Sequence, residues 1–194
     1  MRPPIEVEVC PDPHWRFTPE QVLRMAEVGI LDEDDRVELV RGELLEMAPQ
    51  SPEHGTLKDR LYRRLLEAYR DRDVNILGQR PLRTGPDGLP EPDLAVLRGP
   101  DTTYLHRHPE GTEALLVVEI AMTSHGRDRR KATDYARGGV PTYWLLDIVG
   151  RTLDVHTEPD RERSLYRLVA SLNETDSVTL PELGIEWKVA TLLP

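Results

Sequence analysis

The residues best suited to chemistry fall between Glu91 and Lys131. Glu91-Pro92-Asp93-Leu94-Ala95-Val96-Leu97 and Leu115-Leu116-Val117-Val118-Glu119-Ile120-Ala121 are short apolar runs that read as buried strands, yet each carries one carboxylate. Alternation along the second run predicts Leu115, Val117, Glu119 and Ala121 on one face and Leu116, Val118 and Ile120 on the other. Glu119 then points the same way as core residues, where an unpaired carboxylate is costly. It must be paired, protonated, metal-bound or at the open end of the sheet. Two carboxylates at the ends of neighbouring strands, with Lys131 downstream, are the parts needed to hold a hard divalent cation such as Mg²⁺ or Mn²⁺ and aim a water at a phosphodiester. The lysine supplies charge for a developing negative oxygen or helps position the water. The same residues also fit an ion-paired sheet end, with Arg127, Arg129 or Arg130 taking the carboxylates.

The surrounding sequence supplies the elements that must position them. Residues 1 to 16 are rich in proline and read as an irregular arm, leaving 17 to 194 as one domain. Thr18-Pro19-Glu20 opens a helix ending near Gly29, with Val22, Leu23, Met25 and Ala26 as core candidates. Arg36 to Met47 reads as a hairpin turning at Arg41 and Gly42. A longer helix runs from about Thr56 to Arg70, with Leu57, Leu61, Leu65 and Ala68 on one side and Arg60, Arg63, Arg64 and Arg70 on the other. His54, in the Ser/Pro/Gly segment before that helix, is a candidate ligand or general base, or a cap. Val74 to Leu77 and Gln79 to Thr84 are strand candidates. His106 and His108 lie in a loop without a third ligand nearby. Ser124 caps a helix through Ala136 that stops at Gly138-Gly139, and its residues Asp128, Lys131, Ala132 and Tyr135 share one side. Strands follow at Thr142 to Ile148, Thr152 to Thr157, Leu165 to Ser171 and Ile185 to Trp187, then a short C-terminal helix.

Composition narrows the function classes. A net charge of -10 argues against a protein that coats nucleic acid without preference. It leaves room for a local basic groove, because lysine and arginine gather at Lys58 to Arg72 and Arg127 to Arg137. Arg60, Arg63, Arg64, Arg127 and Arg130 are the candidate phosphate contacts, a solvated basic face being the alternative. The only cysteine is Cys10, so an internal disulfide and a multi-cysteine zinc site are both excluded. No apolar run is long enough to span a bilayer and the N-terminus lacks a signal-peptide pattern, so a cytoplasmic location is expected.

Pro92-Asp93 followed by Val117-Val118-Glu119-Ile120-Ala121 resembles the signature of the PD-(D/E)XK nuclease superfamily. Val40-Arg41-Gly42-Glu43-Leu44, Ser51-Pro52-Glu53-His54, Glu91 to Val96, Asp128 to Lys131 and Tyr135 to Asp147 resemble, more closely, the Uma-two group of bacterial endonucleases across residues 17 to 193. The resemblance implies a restriction-endonuclease-like α/β (α+β) core, a mixed sheet flanked by helices, and Mg²⁺-dependent cleavage of DNA. It implies Asp93 and Glu119 as metal ligands with the Ile120 carbonyl as third, and Glu38 or Glu43 at an additional acidic position. The superfamily lysine would fall at Ala121; the group resembles a variant in which it has moved to the next helix, here Lys131. A nuclease-fold module that binds or regulates without cleaving is the alternative. Cutting both strands of a duplex would call for a homodimer.

Overall fold

The computed structural model describes residues 14–32, 34–47, 49–122 and 125–194, and side chains of the third helix from Arg130 onward. Thr123, Ser124 with its expected helix cap, and Arg127 and Asp128 as side chains lie outside the described residues.

Helix α1 (Pro19–Glu27) starts on a capping box, Thr18 accepting from the Gln21 N–H while the Gln21 side chain accepts from the Thr18 N–H. It does not join the core. Val22, Leu23 and Met25 are half-buried and Ala26 is exposed, because this short helix sits at the rim, pinned by Glu20 to Arg83 at 2.6 Å. Strands β1 (Val37–Val40) and β2 (Glu43–Glu46) form the hairpin. Its turn residues Arg41 and Gly42 have φ of 51° and 77°, the left-handed pair that matches the twist of the flanking strands.

Helix α2 (Pro52–Ala68) begins earlier than expected, with Ser51 accepting from the His54 N–H at 3.1 Å and Pro52 at the first helical position. His54 therefore belongs to the first helical turn and not to a loop. The remaining elements are β3 (Val74–Gly78), β4 (Leu94–Arg98), β5 (Ala114–Ala121), α3 (His125–Gly138), β6 (Thr142–Asp147), β7 (Thr152–Asp160), β8 (Leu165–Asn173), β9 (Ser177–Thr179) and β10 (Glu186–Lys188). The last two pair with each other, β9 being unforeseen, and a 3-10 turn at Val189–Thr191 replaces the C-terminal helix. Gln79 to Thr84 forms no strand: Gln79 has φ of 48°, and only an isolated bridge from Arg83 to Glu110 follows.

Six strands make one mixed sheet in the order β3-β4-β5-β6-β7-β8, antiparallel except for β5 and β6, which run parallel and are joined through α3. The architecture is a mixed α/β single domain. One sheet face packs on Leu57, Leu61 and Leu65 of α2 and on the C-terminal Leu192 and Leu193. The other packs on Ala132, Tyr135 and Ala136 of α3. The alternation expected for β5 holds from Leu116 onward but fails at Leu115. Val96 pairs with Leu116 and Leu97 with Ala114, so Leu115 is an extra residue in the ladder and turns to the α2 side.

Two glycines on these helices give opposite expectations. A Cβ on Gly138, at the end of α3, would stand 2.8 Å from the Thr84 Cα, whereas one on Gly55 in α2 would meet nothing within 4 Å. Gly138→Ala should destabilise by about 1–3 kcal/mol. Gly55→Ala should stabilise by roughly 0.5–1 kcal/mol through helix propensity. Chemical denaturation of both variants checks the pair, and equal shifts would contradict the packing at Gly138.

Candidate active site

Glu119 is carried by β5 in the middle of the sheet, facing α3, and is buried. Helix α3 brings two partners to it: Lys131 Nζ at 3.0 Å and the Tyr135 hydroxyl, which donates at 2.7 Å, both to Oε1. Their four-residue spacing places them one above the other on the same helix face. Lys131 also lies 3.0 Å from Glu38 Oε2. Glu38 comes from the hairpin and is 3% exposed, and it accepts from the Glu91 N–H at 3.2 Å. Of the two candidate hairpin acids, Glu38 is the one gathered here. Glu43 is exposed and lies 3.7 Å from Arg16.

Asp93 immediately precedes β4. The ladder between β4 and β5 ends at the pair Leu94 and Val118, so the next inward N–H of β5, that of Ile120, has no strand partner on that side. The Asp93 carboxylate takes its place, accepting at Oδ2 from Ile120 at 2.8 Å, with His54 Nε2 at 3.0 Å from the same oxygen. Asp93 in turn gives its own N–H to Glu119 Oε2 at 3.4 Å, so the two carboxylates are neighbours at one end of the sheet. Asp93 Oδ1 meets the Gln50 amide at 3.5 Å.

The electrostatics follow from burial and charge. Burial pushes the Glu119 carboxyl up to about 8; Lys131 opposes this, and the negative Asp93 and Glu38 reinforce it. Burial works against the Lys131 charge, but Glu119 and Glu38 outweigh it and hold the ammonium above its ordinary range. His54 is raised by its hydrogen bond to Asp93, burial opposing. Tyr135 is raised well above the ordinary range, first by burial and then by the adjacent glutamates, and it stays a hydroxyl donor.

The arginines expected to face nucleic acid divide. Arg60 donates to the carbonyls of Leu192 and Leu193 at 3.1 and 2.6 Å, and Arg64 donates to that of Thr191 at 2.7 Å while lying over the Trp187 ring at 4.2 Å. Both hold the C-terminal segment against α2. Arg63 is exposed on the same helix. Arg130 is exposed and lines a cleft of about 700 Å³ with Lys131, Glu38, Arg16 and Arg41, beside the carboxylate cluster.

Sequence reasoning missed three side chains that complete the surroundings of Asp93. Lys58 Nζ lies 2.5 Å from Gln79 Oε1 and 3.4 Å from Gln50 Oε1, and that same Gln50 amide reaches Asp93. The available signal was spacing, since Lys58 follows His54 by one helical turn. Arg41 was also missed as a link, its guanidinium reaching the buried Asp134 of α3 at 2.9 Å.

Comparison with solved structures returns the crystal structure of a "putative nuclease belonging to DUF820" from Anabaena variabilis. It is 14% identical, with a TM-score of 0.73 over 91% of this chain and 97% of that one, a likeness of fold. Among curated proteins nothing matches. Residues 19–192, which include every side chain of the carboxylate cluster, match the Uma2 family, described as "Putative restriction endonuclease". A match of that extent, over an architecture shared with a DUF820 protein, makes this chain a member of the Uma2 family.

Proposed function

We propose that the protein is a metal-dependent endonuclease that hydrolyses phosphodiester bonds of DNA, with Asp93 and Glu119 as ligands of Mg²⁺ or Mn²⁺. The observation that carries this reading is an imbalance of buried charge. Among the described residues three buried carboxylates, Glu38, Asp93 and Glu119, gather at one end of the sheet with one buried ammonium, Lys131, between Glu38 and Glu119 and the His54 imidazole against Asp93. Two negative charges held together at a sheet end are stabilised by a proton or by a cation.

The donors fit a hard cation. Asp93 and Glu119 offer oxygen, and a residue that turns its N–H toward a strand edge turns its carbonyl the same way, so the Ile120 carbonyl is directed to the Asp93 side. Among the described residues no three His, Cys, Asp or Glu side chains form a metal cage. A set of two carboxylates and a carbonyl suits Mg²⁺, which keeps several waters. When bound, such an ion polarises a phosphoryl oxygen and acidifies a water. The chain's own residues do the rest. His54 and the Ile120 N–H fix the Asp93 rotamer through Oδ2, leaving Oδ1 as the more open oxygen. Tyr135 and Lys131 fix Glu119 through Oε1, leaving Oε2 toward Asp93. An ammonium has three donors; Lys131 gives two to Glu38 and Glu119, and a third can orient a water. Arg130, exposed in the adjoining cleft, is placed for a backbone phosphate. A two-fold dimer would present two such sites to a duplex, and light scattering that finds a monomer at micromolar concentration would argue against it.

One observation favours a non-cleaving nuclease-fold module. Lys131 is paired with carboxylates on two sides, as a structural ion pair would be, while the superfamily lysine position holds Ala121. The two readings separate in assay. Mg²⁺ or Mn²⁺ should raise the melting temperature of wild type and not of Asp93→Asn. Wild type should nick supercoiled plasmid with either ion and not with EDTA. Asp93→Asn should be inactive, and Lys131→Ala should fall by about 10²- to 10³-fold. Metal stabilisation without nicking would select the non-cleaving module.

The Glu119 proton gives a pH dependence. Its carboxyl lies near 8 in the fold against an ordinary 4.5, so between those values the native state keeps a proton that the unfolded chain has released. Without metal, stability should therefore decline as pH rises from 4.5 toward 8, and Glu119→Gln should flatten that slope. Urea denaturation at several pH values reads it, and stability rising across the window in wild type would contradict the assignment.

A further inference from the structure

We propose that Lys58, held by Gln50 and Gln79 beside Asp93, is a cation that contacts a phosphate oxygen of bound DNA, and that Lys131 makes no phosphate contact. The inference rests on the endonuclease reading and assigns its phosphate subsite.

The two lysines flank the same carboxylates in different states. Lys131 is 7% exposed and sits between Glu38 and Glu119, so a phosphate approaching it meets a buried ammonium whose donors are already engaged on two sides. Lys58 is half-buried, and its partners among the described residues are two amide oxygens, Gln79 Oε1 at 2.5 Å and Gln50 Oε1 at 3.4 Å. Among the described residues no carboxylate lies within ion-pair distance of it. Amide oxygens orient an ammonium without cancelling its charge, and a phosphate oxygen is a stronger acceptor than either. The charge is felt locally, since Lys58 opposes the protonation of His54.

The position is built by three elements. His54 and Lys58 are one turn apart on α2, so the helix that fixes Asp93 also carries this ammonium alongside it. Gln50 bridges the two, its carbonyl oxygen toward Lys58 and its amide nitrogen toward Asp93 Oδ1. Gln79 sits directly after β3 with φ of 48°, a left-handed conformation that a residue with a side chain seldom adopts. Its N–H is shared between the carbonyls of Pro92 and Asp93, at 3.1 and 3.2 Å, which locks this unusual turn to the site. Backbone strain of this kind is retained where the surroundings fix it, and here it directs an amide oxygen at Lys58.

The test is the salt dependence of binding, which counts phosphate contacts and is insensitive to a purely structural role. A fluorescently labelled 20-base-pair duplex is titrated by anisotropy in EDTA, where cleavage is off, at several salt concentrations. Removing one phosphate contact should lower the log–log slope by about 0.9. The expected result is that slope loss with weaker binding in Lys58→Ala, a retained slope in Lys58→Arg, and an unchanged slope in Lys131→Met. If Lys131→Met fails to fold by circular dichroism, the two Lys58 variants decide alone. A wild-type slope in Lys58→Ala, while wild type still nicks plasmid with Mg²⁺, overturns the Lys58 assignment and spares the endonuclease reading. Slope loss in Lys131→Met with none in Lys58→Ala gives the contact to Lys131 and likewise overturns it. A wild type that neither binds the duplex nor nicks plasmid overturns both.

Discussion

A buried ammonium between two carboxylates is the interaction on which the site depends. Lys131 of α3 joins Glu119 of β5 to Glu38 of β1, and those three elements share no other charged contact at that depth among the described residues. The hairpin is not part of the six-stranded sheet. It is attached by the backbone bridge between Leu39 and Leu89, by Arg41 reaching Asp134, and by Glu38 reaching Lys131. Taking away the lysine would leave two buried carboxylates facing each other, and losing one partner of a buried pair costs about 3–5 kcal/mol. The charge cluster therefore sets the position of the hairpin as well as the electrostatics of Glu119.

The second constraint is the late start of β4. Because that strand begins only at Leu94, the neighbouring edge of β5 would expose an N–H in a buried setting, and an orphaned buried donor costs about 1–3 kcal/mol. Asp93 answers with a side chain where backbone would otherwise pair. The same substitution explains how a carboxylate comes to lie beside Glu119 at all. A regular ladder through this point would have placed a carbonyl there, without the negative charge that a carboxylate offers a cation. Gln79, whose N–H points at the carbonyls of Pro92 and Asp93, closes the irregular corner from the β3 side.

Much of this was legible from residue order. Strands with a simple apolar pattern, the Arg41-Gly42 turn and the stop of α3 at Gly138-Gly139 are set by local chemistry, and the Lys131 and Tyr135 spacing already placed both on one helix face. What could not be read depends on pairing between distant segments. The flip of Leu115 follows from a bulge that exists only in register with Val96 and Leu97. Gln79 to Thr84 has strand-like composition, but its backbone bonds go to Pro92, Asp93, Pro90 and Pro109, in a corner rather than a ladder. The basic stripe on α2 looked like a surface for phosphate, yet the last residues of the chain fold back and offer carbonyls to Arg60 and Arg64. A choice between Glu38 and Glu43 needed the third dimension for the same reason: the two residues sit on paired strands, and only contact with α3 separates them.

In the function proposed, Asp93 and Glu119 share a divalent cation at the end of the sheet. Anomalous diffraction from crystals soaked in Mn²⁺ tests it most directly, because the ion's position is read without reference to activity. A peak within about 2.0–2.3 Å of carboxylate oxygens of both residues is the expected result, on the bond lengths of small oxygen-ligated cations. Crystals that take up Mn²⁺ elsewhere while Asp93 and Glu119 keep only His54, Tyr135 and Lys131 as partners would contradict it.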